Sequence, residues 1–175
     1  MNKRLFYMLF GLGQKNKPFA AAAKLIAKYS YPFFYAVYAL GFFLAIYIDK
    51  KLLVTYLFIP FTVYLINNGL RSSLKKPRPF DELNITPLIS HEGSPSFPSN
   101  HAACAMVIAL AFINVMKASS LPFASLFYIL VPCAVVTGLS RVVCGIHYPK
   151  DVALGWIVGV AGWFCEYEIF EVVLS

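Results

Sequence analysis

Residues 31–48 run for eighteen positions without one charged side chain. At a helical rise of 1.5 Å per residue that is about 27 Å, close to the roughly 30 Å hydrocarbon core of a bilayer. Further apolar runs follow at 52–70, 99–116 and 121–139, with a less perfect one from Val152 onward. In the last, only fourteen residues, about 21 Å of helix, precede Glu166, and Glu168 and Glu171 follow. Backbone polar groups in lipid must be bonded within their own element, so runs of this kind predict helices. The expected fold class is all-α: an integral membrane helical bundle of about five transmembrane helices. Residues 1–175 read as a single membrane-embedded domain without internal repeats.

Composition agrees. The chain is 59% hydrophobic and 13% charged, where soluble domains are nearer half apolar and a quarter charged. The net charge of +7 does not indicate nucleic acid, because the basic residues flank apolar runs. There they suit anionic head groups or an anionic substrate. In residues 1–29, Lys24 and Lys28 share one helical face opposite Leu25 and Ile26, and Pro18 suits a helix start. This predicts an amphipathic segment within residues 1–29 lying along the bilayer interface. Gln14, Lys15 and Lys17 follow the short apolar run at the start, where a cleaved signal would carry small residues. The four cysteines form no CxxC pattern, so neither metal nor disulfide is expected. Cys104, Cys133 and Cys165 fall in apolar runs and read as interior.

Three polar stretches carry the chemistry. Residues 71–97 form a long polar loop with Arg71, Lys75, Lys76 and Arg78, and loops this long are usually functional. Pro98, Ser99, Asn100 and His101 open the third span, with Ser99 or Asn100 as helix cap. A helix start of this kind offers free N–H groups and a favourable dipole to an anion. Between the fourth and fifth spans, Ser140 to Asp151 hold Arg141, His147 and Asp151. Charged groups at a membrane edge usually face protein or water and read as functional. Asp151, four residues after His147, could hold one imidazole N–H and leave the other nitrogen lone pair free. With five spans these three stretches share one membrane face. Arg71, Arg78 and Arg141, His101 and His147, a helix N-terminus and Asp151 together suit a highly charged tetrahedral anion. Two imidazoles suit a displacement in which one attacks and the other protonates the departing oxygen.

These residues also resemble a known family. Arg71 to Pro79 resembles Lys-x6-Arg-Pro, the first motif of the type-2 phosphatidic-acid phosphatase superfamily. Pro98-Ser99-Asn100-His101 resembles its second, Pro-Ser-Gly-His, and Ser140-Arg141-x5-His147-x3-Asp151 matches its third. The resemblance implies a metal-independent, cofactor-free membrane lipid phosphatase. His147 would form a phosphohistidine, oriented by Asp151, and His101 would protonate the leaving oxygen and then activate water. Arg71, Arg78, Ser99, Asn100 and Arg141 would surround the phosphate. Two departures stand out: Arg71 replaces the lysine, and Asn100, which could donate to phosphate or cap the helix, replaces the glycine. His91 fits no motif and reads as a loop residue.

The substrate expected by resemblance is undecaprenyl pyrophosphate, with phosphatidic acid and phosphatidylglycerol phosphate as rivals. A non-catalytic lipid-phosphate binding or transport protein is the alternative of another class. The expected location is the cell membrane, with the site facing outward as in the family. Charge opposes that orientation, since twelve Lys and Arg residues lie on the site's face and three on the other.

Overall fold

The computed structural model describes residues 3–91, 93–119, 121–122 and 124–169. Glu171, part of the acidic end noted above, lies outside them. The helices are α1 (Lys3–Lys15), α2 (Lys17–Ile48), α3 (Lys50–Leu74), α4 (Pro79–Leu83), α5 (Asn100–Ala118), α6 (Leu130–Val143) and α7 (Pro149–Ile169). A 3₁₀ segment, Ala124–Ile129, leads into α6.

Four segments are long and apolar enough to cross a membrane: Lys17–Ile48, Lys50–Leu83, Asn100–Ala118 and Ala124–Val143. The fifth expected span corresponds to α7. It begins at Pro149, three residues before the apolar run, and continues past Glu166. Its 21 residues rise about 31 Å, enough to match the bilayer in length.

The N-terminal region differs from the sequence reading. Residues 19–29 are not a separate interfacial segment but the first turns of α2. Their inward residues Ala20, Ala23, Ala27 and Ser30 continue to Phe34, Gly41 and Ala45. This stripe follows the helical repeat, so one buried face passes from head-group level into the span without a break. Asn16 caps the start, its side chain accepting from the Phe19 N–H at 3.1 Å, and Pro18 lies in the first turn. The 32 residues of α2 rise about 48 Å, well beyond the hydrocarbon thickness. Its first turns lie on the side where α3 ends and α5 begins. The separate short amphipathic element is α1.

At the opposite face Asp49 closes α2 and starts α3 in one residue. Its N–H bonds Ala45 O and its carboxylate accepts from the Lys51 N–H. Helix α5 lies at the centre and contacts α2, α3, α6 and α7. Its residues Ala102, Ala103, Val107, Ala109 and Ala111 are fully buried, whereas Phe43, Phe58 and Ile157 on the outer helices are exposed. The apolar exterior is what a bilayer solvates.

Gly155 and Gly159 of α7 pack against α5, and Gly162 packs against α3. A Cβ at Gly155 would lie 2.7 Å from Ser99 O, and one at Gly159 would lie 2.7 Å from Ala103 O. Backbone meets backbone along this contact. Among the cysteines the burial order departs from the sequence reading: Cys144 in the charged loop is buried, and Cys165 on α7 is exposed.

Candidate active site

The site lies where α3, α5, α6 and α7 end or begin on one face. Arg71 sits in the last turn of α3, and Lys75 closes that helix in the left-handed region at φ 43. Arg78 caps α4. The loop then returns, with the Ser96 N–H bonded to Lys76 O at 2.8 Å and the Leu88 N–H to Cys144 O at 2.9 Å. Phe97–Pro98 is a cis peptide. Ser99 caps α5, accepting from the Ala102 N–H at 3.4 Å. Its own N–H bonds Asp151 O at 2.9 Å, which ties the start of α5 to the start of α7.

Around His147 the groups converge tightly. The ring is 1% exposed. Nε2 lies 3.4 Å from Arg78 Nη1. Nδ1 lies 3.2 Å from Ser96 Oγ and 3.6 Å from Asp151 Oδ2. The Ser96 hydroxyl donates to Asp151 Oδ2, which also accepts from the Tyr148 N–H at 2.9 Å. A tautomer with its proton on Nδ1 satisfies this chain: imidazole to serine, serine to carboxylate. The Nε2 lone pair then points at the guanidinium.

Arg78 is fixed from several sides. Its Nε donates to Ser94 O at 2.8 Å, its Nη1 to Ile146 O at 2.9 Å and its Nη2 to Ser94 Oγ at 2.9 Å. Arg71 donates to Pro98 O and Ser94 Oγ, each at 3.2 Å. Arg141 is 3% exposed. It donates to Ala27 O at 3.2 Å, while its buried Nε has no partner. His101 lies within electrostatic reach of His147, Arg78 and Arg141, its ring 3.7 Å from that of Tyr31. Asn100 is held by asparagines: its side chain bonds Asn67, and donates to Asn68 Oδ1 at 2.6 Å. The cap is Ser99, and Asn100 joins α5 to α3.

Burial, followed by the charges of Arg78, Arg141 and Arg71, holds His147 well below the ordinary imidazole value. The contact with Asp151 is short enough for an ion pair, but burial and three guanidiniums outweigh one carboxylate. The ring is therefore neutral at pH 7. Folded His147 takes its proton only well below about 6.5, whereas the unfolded chain takes it near that value. As pH falls below 6.5 the unfolded state binds more protons, so the native state loses stability. The melting temperature in detergent should fall between pH 6.5 and 5, and fall less in His147→Gln. An equal fall in both would show that another group carries the effect.

Sequence reasoning missed Ser96, buried with no exposure, and the bracing of the loop by α1. Phe6 stacks on Phe10 and meets Tyr148 edge-on at 5.2 Å. Tyr148 donates to Glu82 at 2.9 Å, and Lys3 pairs with Glu82 at 3.3 Å. Phe10 fills the space beside Gly145, whose φ of +79 excludes other residues without strain. The pair of serines in Ser94-Pro95-Ser96, next to the second motif, was the available signal for Ser96.

A neutral, buried imidazole among three guanidiniums at a bundle's membrane edge is suited to an anionic phosphorus centre. The comparisons agree. The model of the PAP2 superfamily matches residues 52–173, and the chain belongs to that superfamily. It is 29% identical over 174 residues to the undecaprenyl-diphosphatase BcrC of Bacillus subtilis (strain 168), covering 99% of this chain and 86% of that protein. It is 35% identical over 108 residues to phosphatidylglycerophosphatase B of the same organism, covering 57% of this chain and 49% of that protein. The crystal structure of Aquifex aeolicus LpxE matches in fold, with a TM-score of 0.75 at 21% identity over 95% of this chain and 94% of that one. The protein is a multi-pass membrane lipid phosphatase.

Proposed function

We propose that this enzyme hydrolyses a polyprenyl diphosphate, undecaprenyl diphosphate foremost, through a phosphohistidine on His147. The observation that supports this most is the setting of Nε2, buried and 3.4 Å from Arg78 Nη1, where a phosphate oxygen bound by that arginine brings phosphorus alongside. Ser96 and Asp151 hold the opposite edge of the ring. His101 protonates the departing oxygen and later takes a proton from water. Arg71, Arg78 and Arg141 bind the phosphoryl oxygens, with the Ser99 hydroxyl hydrogen and the first N–H groups of α5, at Asn100 and His101, which have no carbonyl within the helix. The Asn100 side chain sets this turn against α3. Fixed donors of this kind stabilise developing charge without reorganising.

Similarity to phosphatidylglycerophosphatase B over 108 residues supports a second reading, a glycerolipid monophosphate. The test is phosphate release by purified protein, with excess chelator, from a panel of undecaprenyl diphosphate, phosphatidylglycerol phosphate and phosphatidic acid. Release from the polyprenyl diphosphate at the highest kcat/KM supports the first reading. Preference for a glycerolipid selects the second, and release from none ends both.

Ser96→Ala should lower kcat about 10- to 100-fold with little change in KM, because the ring loses its link to Asp151 while the phosphate ligands remain. Ser96→Thr should recover part of the loss. A variant with wild-type kcat would remove Ser96 from the mechanism.

We place the site outside the cytoplasm of the cell membrane, as the family resemblance implies. α7 runs away from the site, so a reporter enzyme fused after Ser175 reads the opposite side. Activity of a periplasm-only reporter there would put the site in the cytoplasm.

A further inference from the structure

A second basic feature lies beside the catalytic groups. A cavity of about 740 Å³ is lined by Lys24, Ala27, Lys28, Ser90, His91 and Arg141. Among the described residues no carboxylate lines it. Arg141 forms its inner wall and also lies within electrostatic reach of His101 and His147. His91 acts on the same two imidazoles, so the cavity adjoins the reacting centre. The lysines come from the first turns of α2, on the side of the bundle where α3 ends and α5 begins.

An apolar groove between α2 and α6 continues from this cavity. Leu25 and Tyr29 line both, and Ile26, Phe33, Pro132 and Val136 extend the groove towards the hydrocarbon. Ser30 and Thr137 line the groove and also a small void against His101. One apolar path therefore leads to two places, the general acid proposed above and the lysine cavity.

The geometry points to a second phosphate subsite: Lys24, Lys28 and His91 hold the lipid-proximal phosphate of a diphosphate whose tail lies in the α2–α6 groove. This rests on the lipid-phosphatase reading and extends it by making the protein selective for diphosphates. His147 Nε2 bonds to the terminal phosphorus as the bond from that phosphorus to the bridging oxygen breaks. The electron pair stays on the bridging oxygen, which takes the proton of His101 and becomes a terminal oxygen of the lipid monophosphate. Water then attacks the phosphohistidine, passes a proton to His101 and releases inorganic phosphate. A departing phosphate is a good leaving group that needs neutralising charge more than a proton, and ammonium groups at the cavity supply it. A lipid monophosphate expels an alkoxide, which needs the proton of His101 and gains little from the lysines.

The test compares a polyprenyl diphosphate and the monophosphate of the same chain length, each assayed by phosphate release in detergent. Proteins would be wild type, the double variant Lys24→Gln with Lys28→Gln, and the opposite-face control Lys50→Gln with Lys51→Gln. The expected result is a fall of about tenfold or more in kcat/KM for the diphosphate in the first variant, under twofold for the monophosphate, and no change in the control. Lys24→Arg with Lys28→Arg should restore most of the diphosphate rate. Equal losses on both lipids, no loss, or the same loss in the control would overturn the subsite while leaving a wild-type phosphatase in place. A wild-type protein inert on both lipids and on the glycerolipid panel would instead remove the lipid-phosphatase reading, and the subsite with it.

Discussion

His147→Gln should abolish turnover, with kcat falling on the order of 10⁴-fold, since a missing nucleophile leaves only binding and oriented donors. Glutamine can occupy a similar space and keep a hydrogen bond to Ser96, so the melting temperature at pH 7 should change by only a few degrees. Wild-type enzyme given lipid labelled in its terminal phosphate and stopped with alkali should carry alkali-stable, acid-labile label on protein, and the variant none. Label on the variant, or turnover within tenfold of wild type, would rule out His147 as the group that attacks phosphorus.

The next largest effect is expected at Arg78. Its guanidinium serves Ser94, Ile146 and the neighbourhood of His147 at once, with 1% of the residue exposed. Arg78→Leu removes a phosphate ligand of the proposed mechanism and leaves the carbonyls of Ser94 and Ile146 without their donors. Loss of one preorganised donor costs about 10²–10³-fold in kcat, and each stranded buried acceptor about 1–3 kcal/mol. The melting temperature should therefore fall by several degrees together with activity. Arg78→Lys keeps charge but not the fork, and should rescue stability poorly. Arg71→Leu, at a half-buried residue with two contacts, should lose activity with a smaller thermal penalty. An Arg78→Leu protein retaining a tenth of wild-type activity would show that the other two arginines suffice.

The spans and the motif residues were readable because each depends on local pattern. Charge-free runs set the helices, and the spacing of Arg141, His147 and Asp151 places all three at one helix junction. What escaped depends on contacts between distant residues. Ser96 reaches a histidine 51 positions away, and Asn100 finds Asn67 and Asn68 across the bundle. No periodicity announces such pairs. The break expected near residue 30 failed for a related reason: charges on the outer face of α2 suggested an end, while alanines on its inner face continued the packed stripe. His91, read as an ordinary loop position, borders the cavity beside Arg141 only because the loop folds back over α2.

The contact of α7 with α5 has a mechanical consequence. Glycine against backbone, with the Ser99 N–H tied to Asp151 O, leaves no slack between the two helices. The rings of His101 and His147 ride on one stiff block, and a bulky lipid cannot wedge its way in along that seam. Any breathing that admits the tail falls to the opposite wall, where the first turns of α2 meet their neighbours through Ala20, Ala23, Ala27 and Ser30.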